Sequence, residues 1–263
     1  MAIDRARRTA RAKALSRAGQ SRPDPVWLFD LDNTLHDAAH AAFPHLSDAM
    51  TDYIVQHLQM TPEEAGALRT HYWRRYGATL LGLVKHHGVQ ASHFLEATHH
   101  LPELEQRLRM SRPDRHALQR LPGRKFILTN APRGYALRVL HTLRLTDCFD
   151  GIVCIEDMTM FGHLRPKPDA RMFRALVARL GVPASRCVLV EDTLAHQQEA
   201  RRVGLRTAWM QRYLRRSPSP IHAHGVPVEN TRKVSDHHGG RPQYVCARIK
   251  RLRSLRVFCG PPR

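Results

Sequence analysis

The chain has 263 residues, 42% of them hydrophobic, and a formal net charge of +19 from 42 Lys and Arg against 23 Asp and Glu. That length supports one sizeable core with room for a smaller second domain, and no apolar segment nears the roughly 18–20 residues that cross a bilayer. Five cysteines without a CxxC pair read as buried free thiols of a reducing compartment, which argues against a disulfide framework or a zinc ribbon.

Residues 1–24 are rich in Arg and Ala and lack the apolar stretch of a secretory signal. Their composition is close to that of a mitochondrial presequence, but Asp4 counts against one, and a disordered basic arm is the reading. The first apolar run, Val26–Leu31 in VWLFDLDNTLHDA, is predicted to be a strand. It ends in Asp30 and Asp32. A strand core is a poor place for one charge and a worse one for two, so the pair is either an ordinary polar turn or two acids held close for chemistry.

The interval after this strand shows helical signals only: His45–His57, Pro62–Tyr76 behind the start signal TPEE, Ser92–Glu96, a turn near His100–Pro102, and Arg112–Arg120. A structureless loop of that length would be out of place inside a compact domain. The interval is therefore expected to fold as a small helical domain over the end of the sheet that carries Asp30. Strands are then predicted at Lys125–Thr129, Gly151–Ile155, Arg186–Glu191 and Arg206–Met210, alternating with helices at Arg133–Leu143, Asp169–Leu180 and Thr193–Val203. Such alternation predicts a parallel sheet with helices on both faces. Ser217–Gly240 is rich in Pro, Gly, His and Ser and reads as loop, its histidines His222, His224, His237 and His238 having no cysteine partners at zinc spacing. Tyr244–Ile249 is expected to return a last strand, followed by a helical turn at Lys250–Leu255. The chain thus divides into an arm (1–24), an α/β core (25–37 and 116–214), a helical cap (38–115) and a basic, loop-rich tail (215–263).

Parallel open sheets bind ligands at the carboxyl ends of their strands. The first strand ends in Asp30 and Asp32, the second in Thr129-Asn130, the fourth in Glu191-Asp192, and Lys167 stands before the helix that opens at Asp169. Carboxylates, one hydroxyl and one lysine fit phosphoryl transfer through an aspartyl phosphate. A carboxylate attacks phosphorus, and one hard hydrolysis becomes two easier steps. Mg²⁺ and a lysine offset the repulsion between two anions. Hydroxyl and amide groups hold the phosphoryl oxygens, and a second acid moves the proton.

FDLDNTL (Phe29–Leu35), LTN (Leu128–Asn130), KP (Lys167-Pro168) and VED (Val190–Asp192), in that order, closely resemble the four motifs of the haloacid dehalogenase-like hydrolases. The resemblance covers residues 25–214 and implies a Rossmann-like, three-layer parallel sheet with a helical cap inserted after the first strand. It also implies roles. Asp30 is the nucleophile and a Mg²⁺ ligand. Asp32 is the general acid/base and binds Mg²⁺ through its backbone carbonyl. Thr129, Asn130 and Lys167 hold the phosphoryl group. Asp192 binds Mg²⁺, and Glu191 does so directly or through water. An acid at Asp32 fits the phosphatases and phosphomutases of the superfamily, because dehalogenases lack it. Relatives usually carry Asn where EDTLAHQ places His196, a change that puts metal affinity in question and makes Mn²⁺ or Co²⁺ the alternative ion.

The insert sequence YWRRYGATLLGLVKHHGV is similar to the pyrimidine 5′-nucleotidase branch, which implies a nucleoside monophosphate substrate. Tyr72, Tyr76 and His86 are the candidates for the base pocket, although Tyr72 and Tyr76, one helical turn apart, equally fit simple packing of the cap. A sugar-phosphate phosphatase or a phosphomutase on the same core is the alternative. A basic nucleic-acid-binding protein is the second, although no recognition motif accompanies the charge. The basic ends allow nonspecific nucleic-acid contact. The absence of membrane and export signals makes the cytoplasm the expected location, and the sequence does not specify an oligomeric state.

Overall fold

A computed structural model describes residues 24–214 and 241–259. The basic arm, the Ser217–Gly240 loop and its histidines therefore lie outside the described residues, apart from Asp24 at the end of the arm. Six parallel strands form the main sheet in the order β3-β2-β1-β6-β7-β8. They are β1 (Val26–Phe29), β2 (Lys125–Leu128), β3 (Gly151–Val153), β6 (Cys187–Glu191), β7 (Arg206–Met210) and β8 (Ala247–Ile249). A two-stranded antiparallel ribbon, β4 (Thr159–Met160) and β5 (His163–Leu164), stands apart from it. The sheet and its helices form the expected Rossmann-like α/β core.

The central strand shows why the fold has three layers. Every residue of VWLF is buried, and side chains along a strand alternate between faces. Val26 and Leu28 join Met172, Phe173, Leu176 and Ala200 from helices Ala170–Leu180 and Leu194–Val203. Trp27 and Phe29 join Tyr135, Ala136, Val139 and Leu140 from helix Arg133–Thr142, together with Leu255 and Phe258 of the last helical turn.

The interval between β1 and β2 holds helices and no named strand, with principal helices at Phe43–Leu58, Pro62–Tyr76, Thr79–His87 and Ala91–His99. The TPEE signal folds as a reciprocal cap. Thr61 Oγ1 accepts from the Glu64 N–H at 3.3 Å, and Glu64 Oε2 accepts from the Thr61 N–H at 2.9 Å. Gly77, at φ +79°, then ends that helix in a left-handed turn. These four helices have their own core of Tyr53, Ile54, Ala65, Tyr72, Leu80, Leu83, Phe94 and Leu95, joined by Ile155 and Leu164 from the region of the ribbon. Leu101, Leu104, Leu108 and Leu118 instead join the sheet's cluster. We propose that the expected cap (38–115) consists of this four-helix unit plus a return leg that lies on the core. No helix among the described residues is long and apolar enough to cross a membrane.

Helix Thr79–His87, the short helices Ala38–Ala41 and Leu104–Arg107, and the ribbon went unpredicted. Helix Thr79–His87 contains Gly82, and its burial against Tyr72 outweighs the low helix propensity of glycine. The ribbon's strands are too short to carry a periodic signal. All five cysteines are free, but Cys246 is only partly buried and Cys259 is exposed, which corrects the expectation that all are buried.

A Cβ added at Gly82 would lie 2.1 Å from Tyr72 Cγ, with further ring carbons at 2.5 Å. Gly82→Ala is expected to destabilise the protein by about 1–3 kcal/mol through overpacking, read by denaturant unfolding. A loss below about 0.5 kcal/mol, the scale of an ordinary surface change, would contradict this packing.

Candidate active site

β1 lies between β2 and β6, and its register pairs Phe29 with Ile127 on one side and Val190 on the other. The residues that follow on all three strands therefore leave the sheet at the same edge, where the chain's connections diverge to either side of β1. This register brings Asp30, Thr129 and Glu191 together from distant parts of the sequence.

Lys167 holds the centre. Its Nζ donates to Asp30 Oδ1 at 2.7 Å and to Glu191 Oε2 at 2.8 Å, and all three side chains are buried. The Asn130 side chain fixes the lysine's backbone. Its Nδ2 donates to the Lys167 carbonyl at 3.0 Å, and its Oδ1 accepts from the Lys167 N–H at 2.9 Å. The Asn130 carboxamide is thus spent on the lysine loop, and its backbone N–H is what we propose for phosphate. Thr129 is oriented differently. Its backbone N–H donates to Val153, while its Oγ1 accepts from the Ala131 N–H at 3.0 Å, so the hydroxyl proton remains to be donated.

Asp30, Glu191 and Asp192 each offer a carboxylate oxygen within 4.8 Å of the others. Burial, followed by the charge of Glu191, pushes Asp30 up to about 7 against the pull of Lys167. Burial and the charges of Glu191 and Asp30 hold Asp192 well above the usual carboxylate range. Burial acts the same way on Glu191, but Lys167 and His196 outweigh it and hold Glu191 well below that range. Burial lowers the ammonium of Lys167, but the charges of Asp30 and Glu191 more than reverse this. Three ionised carboxylates would exceed the charge of one lysine, and Asp30 and Asp192 are accordingly pushed toward the protonated form. That donor set suits a hard divalent cation, which prefers carboxylate oxygen.

His196 does not belong to this acidic trio. Its Nδ1 lies 3.0 Å from Glu191 Oε2, on the oxygen that Lys167 also touches. Glu191 Oε1 accepts from the Thr193 N–H at 3.0 Å, so both of its oxygens have protein partners. Asp30 Oδ1 and Asp192 Oδ1 are engaged as well, by Lys167 and by Thr193 Oγ1 at 3.2 Å, and His196 contacts Glu191 without joining the trio.

Asp32 sits in a second network. Tyr135 Oη donates to Asp32 Oδ1 at 2.7 Å, and His36 Nε2 lies 3.0 Å from the same oxygen. His99, its pKa brought down to about 4 chiefly by burial, packs edge-on against Tyr135 with ring centroids 5.9 Å apart. None of His36, Tyr135 and His99 is among the site residues expected from the sequence. His36 was findable from its spacing of four from Asp32. Tyr135 sits inside an amphipathic helix with nothing to mark it.

The three cap candidates are placed together, and their contacts are local. Tyr72 is buried in the cap core and donates to or accepts from His87 Nε2 at 2.8 Å, while its ring stacks on His86 at 5.5 Å. Tyr76 Oη meets His86 Nε2 at 2.6 Å, and Lys85 Nζ lies 5.3 Å from the centroid of the Tyr76 ring.

A hydrolase family model, haloacid dehalogenase-like hydrolase, matches residues 26–204. Phosphate metabolism protein 8 of Saccharomyces cerevisiae is 25% identical over 199 residues, covering 70% of this chain and 61% of that protein. This chain thus spans less than two thirds of the length of that curated relative. Among solved structures, a HAD phosphatase from Thermococcus onnurineus superposes with a TM-score of 0.56 at 20% identity, over 90% of this chain and 98% of its own. CbbY from Rhodobacter sphaeroides, in complex with phosphate, gives 0.55 at 16% identity over 89% and 96%. The HAD-hydrolase YfnB from Bacillus subtilis, bound to magnesium, gives 0.52 at 16% identity over 91% and 100%. At these identities the three likenesses establish the fold.

Lys167→Met strands Asp30 and Glu191 in the interior. In metal-free buffer near neutral pH it is expected to cost about 3–5 kcal/mol. Without the lysine both carboxyl groups bind protons more tightly folded than unfolded, so the deficit should shrink as the pH falls toward about 5. A deficit that does not depend on pH would contradict the charge assignment. Mg²⁺ must displace protons from Asp30 and Asp192, so its thermal stabilisation of the wild type should be larger at about pH 7.5 than at about pH 5. An equal shift at both would count against a carboxylate site.

Proposed function

The chain belongs to the haloacid dehalogenase-like hydrolases, and from that premise we propose that it is a divalent-metal-dependent phosphomonoesterase acting on nucleoside 5′-monophosphates through an aspartyl phosphate on Asp30. The observation that carries this reading is the Lys167 contact with Asp30 and Glu191 beside Asp192, at the shared edge of three parallel strands.

The residues support a two-step reaction. Asp30 Oδ1 is held by Lys167 and keeps a second lone pair for the ion, and Oδ2 is the attacking oxygen. It forms the bond to phosphorus as the ester P–O bond breaks, and Asp32 gives its proton to the departing alkoxide. Asp32 then takes a proton from water, the water oxygen attacks phosphorus, and the break of the Asp30–phosphorus linkage frees inorganic phosphate. Thr129 Oγ–H, the Asn130 backbone N–H and Lys167 would hold the phosphoryl oxygens. Asp30, Asp192 and the Asp32 carbonyl would hold Mg²⁺, with Glu191 behind them. The bound ion would neutralise the charge that keeps a carboxylate and a phosphate apart.

The nucleotide part rests on the insert. Its resemblance to the pyrimidine 5′-nucleotidases and its cluster of Tyr72, Tyr76 and His86 support a base pocket. Tyr76 and His86 are the better candidates, because burial commits Tyr72 to packing.

Phosphate release from UMP, CMP, dTMP, AMP, GMP and several sugar phosphates, with and without Mg²⁺, tests both levels. Metal-dependent release concentrated on nucleotides is expected, with pyrimidines ahead. Release spread over sugar phosphates would overturn the nucleotide reading, and no release with Mg²⁺, Mn²⁺ or Co²⁺ would overturn the phosphatase. Asp30→Asn is expected to abolish turnover with the melting temperature retained. Activity near wild type would remove Asp30 as nucleophile.

A further inference from the structure

We propose that Tyr135 and His36 are positioning residues for the acid/base step: together they clamp Asp32 Oδ1 and leave Oδ2 as the oxygen that carries the transferred proton. The inference rests on the reading of Asp32 as the general acid/base.

The clamp comes from two directions. His36 lies four residues after Asp32 in the turn that follows β1. Tyr135 belongs to the first turns of the helix after β2. Tyr135 Oη at 2.7 Å and His36 Nε2 at 3.0 Å both meet Oδ1. His36 is fully buried and Tyr135 nearly so, while the Asp32 side chain is 21% exposed, so the donors are held in the interior and the carboxylate faces the site. A carboxyl group with two donors on one oxygen has its torsion fixed. When such a group is protonated, the proton sits on the other oxygen.

The surroundings of both donors favour this role. His36 Nδ1 is buried without a hydrogen-bond partner among the described residues. Of the two vacancies that a buried imidazole could leave there, a bare lone pair costs less than an unmet N–H. With a proton on Nε2 the ring donates to Asp32 and leaves a lone pair, not an unmet N–H, at Nδ1. The Tyr135 ring packs in the sheet's hydrophobic cluster and meets His99, the last residue of the cap helix Ala91–His99. His99 Nδ1 is in turn engaged by Thr98 Oγ1 at 2.9 Å and by the Leu95 carbonyl at 3.1 Å. The ring thus has support independent of its hydroxyl, and Tyr135→Phe removes only the donor.

The discriminating measurement is kcat/KM, which reports the steps up to leaving-group departure. A p-nitrophenolate leaves without a proton, and an alkoxide requires one. Wild type, Asp32→Asn and Tyr135→Phe are compared on p-nitrophenyl phosphate and glycerol phosphate with Mg²⁺. Tyr135→Phe is expected to lower kcat/KM about tenfold on the alkyl ester, the scale of a misplaced catalytic group. On the aryl ester the change should stay within about twofold. Asp32→Asn should show the same split more strongly. An equal loss on both esters, or no loss, with Tyr135→Phe overturns the clamp while the Asp32 split stands. If Asp32→Asn shows no split, the acid/base reading itself fails and takes the clamp with it. Should Tyr135→Phe not fold, the His36 pair decides. Gln carries an N–H at the reach of His Nε2, so His36→Gln should keep the wild-type ratio between esters while His36→Leu loses it; an unchanged ratio in both overturns the clamp.

Discussion

A single buried ammonium organises this molecule. Lys167 Nζ reaches Asp30 and Glu191 at hydrogen-bond distance in a region closed to water. A buried charge survives only where partners offset its desolvation. Here the partners come from the ends of β1 and β6, and Asn130, at the end of β2, grips the lysine's backbone. Three strands and the loop before Asp169 are thereby tied to one point. Asp192 adds a third carboxyl group within 4.8 Å, and because one lysine would not offset three ionised acids, Asp30 and Asp192 are pushed toward the protonated form. That arrangement suits a divalent cation and an anionic substrate arriving together.

Around this point the fold separates tasks. The sheet's two hydrophobic clusters, one on each face of β1, fix the strand ends rigidly. The four helices after β1 share a separate cluster that also takes in Ile155 and Leu164 from the region of the ribbon. Asp32 lies between the two. It leaves β1 beside Asp30, and its oxygen is held by Tyr135, whose ring touches His99 at the end of the cap.

Much of the core was legible in the chain because burial on both faces writes strands as unbroken apolar runs. VWLF and CVLV are of this kind, and the structure has strands there. The order of polar residues at the strand tips was equally plain, since only a parallel sheet would align them. Partners were less legible. Tyr135 is 103 positions from Asp32, inside a helix whose pattern reports only its buried face. Asn130 is expected to hold the phosphoryl group, and nothing local shows that its carboxamide also serves Lys167. His196, whose place at the usual Asn position put metal affinity in question, lies against Glu191. Local sequence gives a side chain's chemistry, but the choice among several eligible acceptors is made by tertiary distance. Helix Thr79–His87 stayed hidden for a related reason, because Gly82 is tolerated only through its contact with Tyr72.

The central claim is that Asp30 forms a covalent phosphoryl intermediate. Its most direct test is to mix the protein with p-nitrophenyl phosphate and Mg²⁺, quench in acid within the first turnover, and read the modified peptide by mass spectrometry. The account predicts one added phosphoryl group on Asp30, lost on treatment with hydroxylamine and absent from Asp30→Asn. A time course of phosphate release with no phosphorylated peptide at any point, or with the group on another residue, would contradict it.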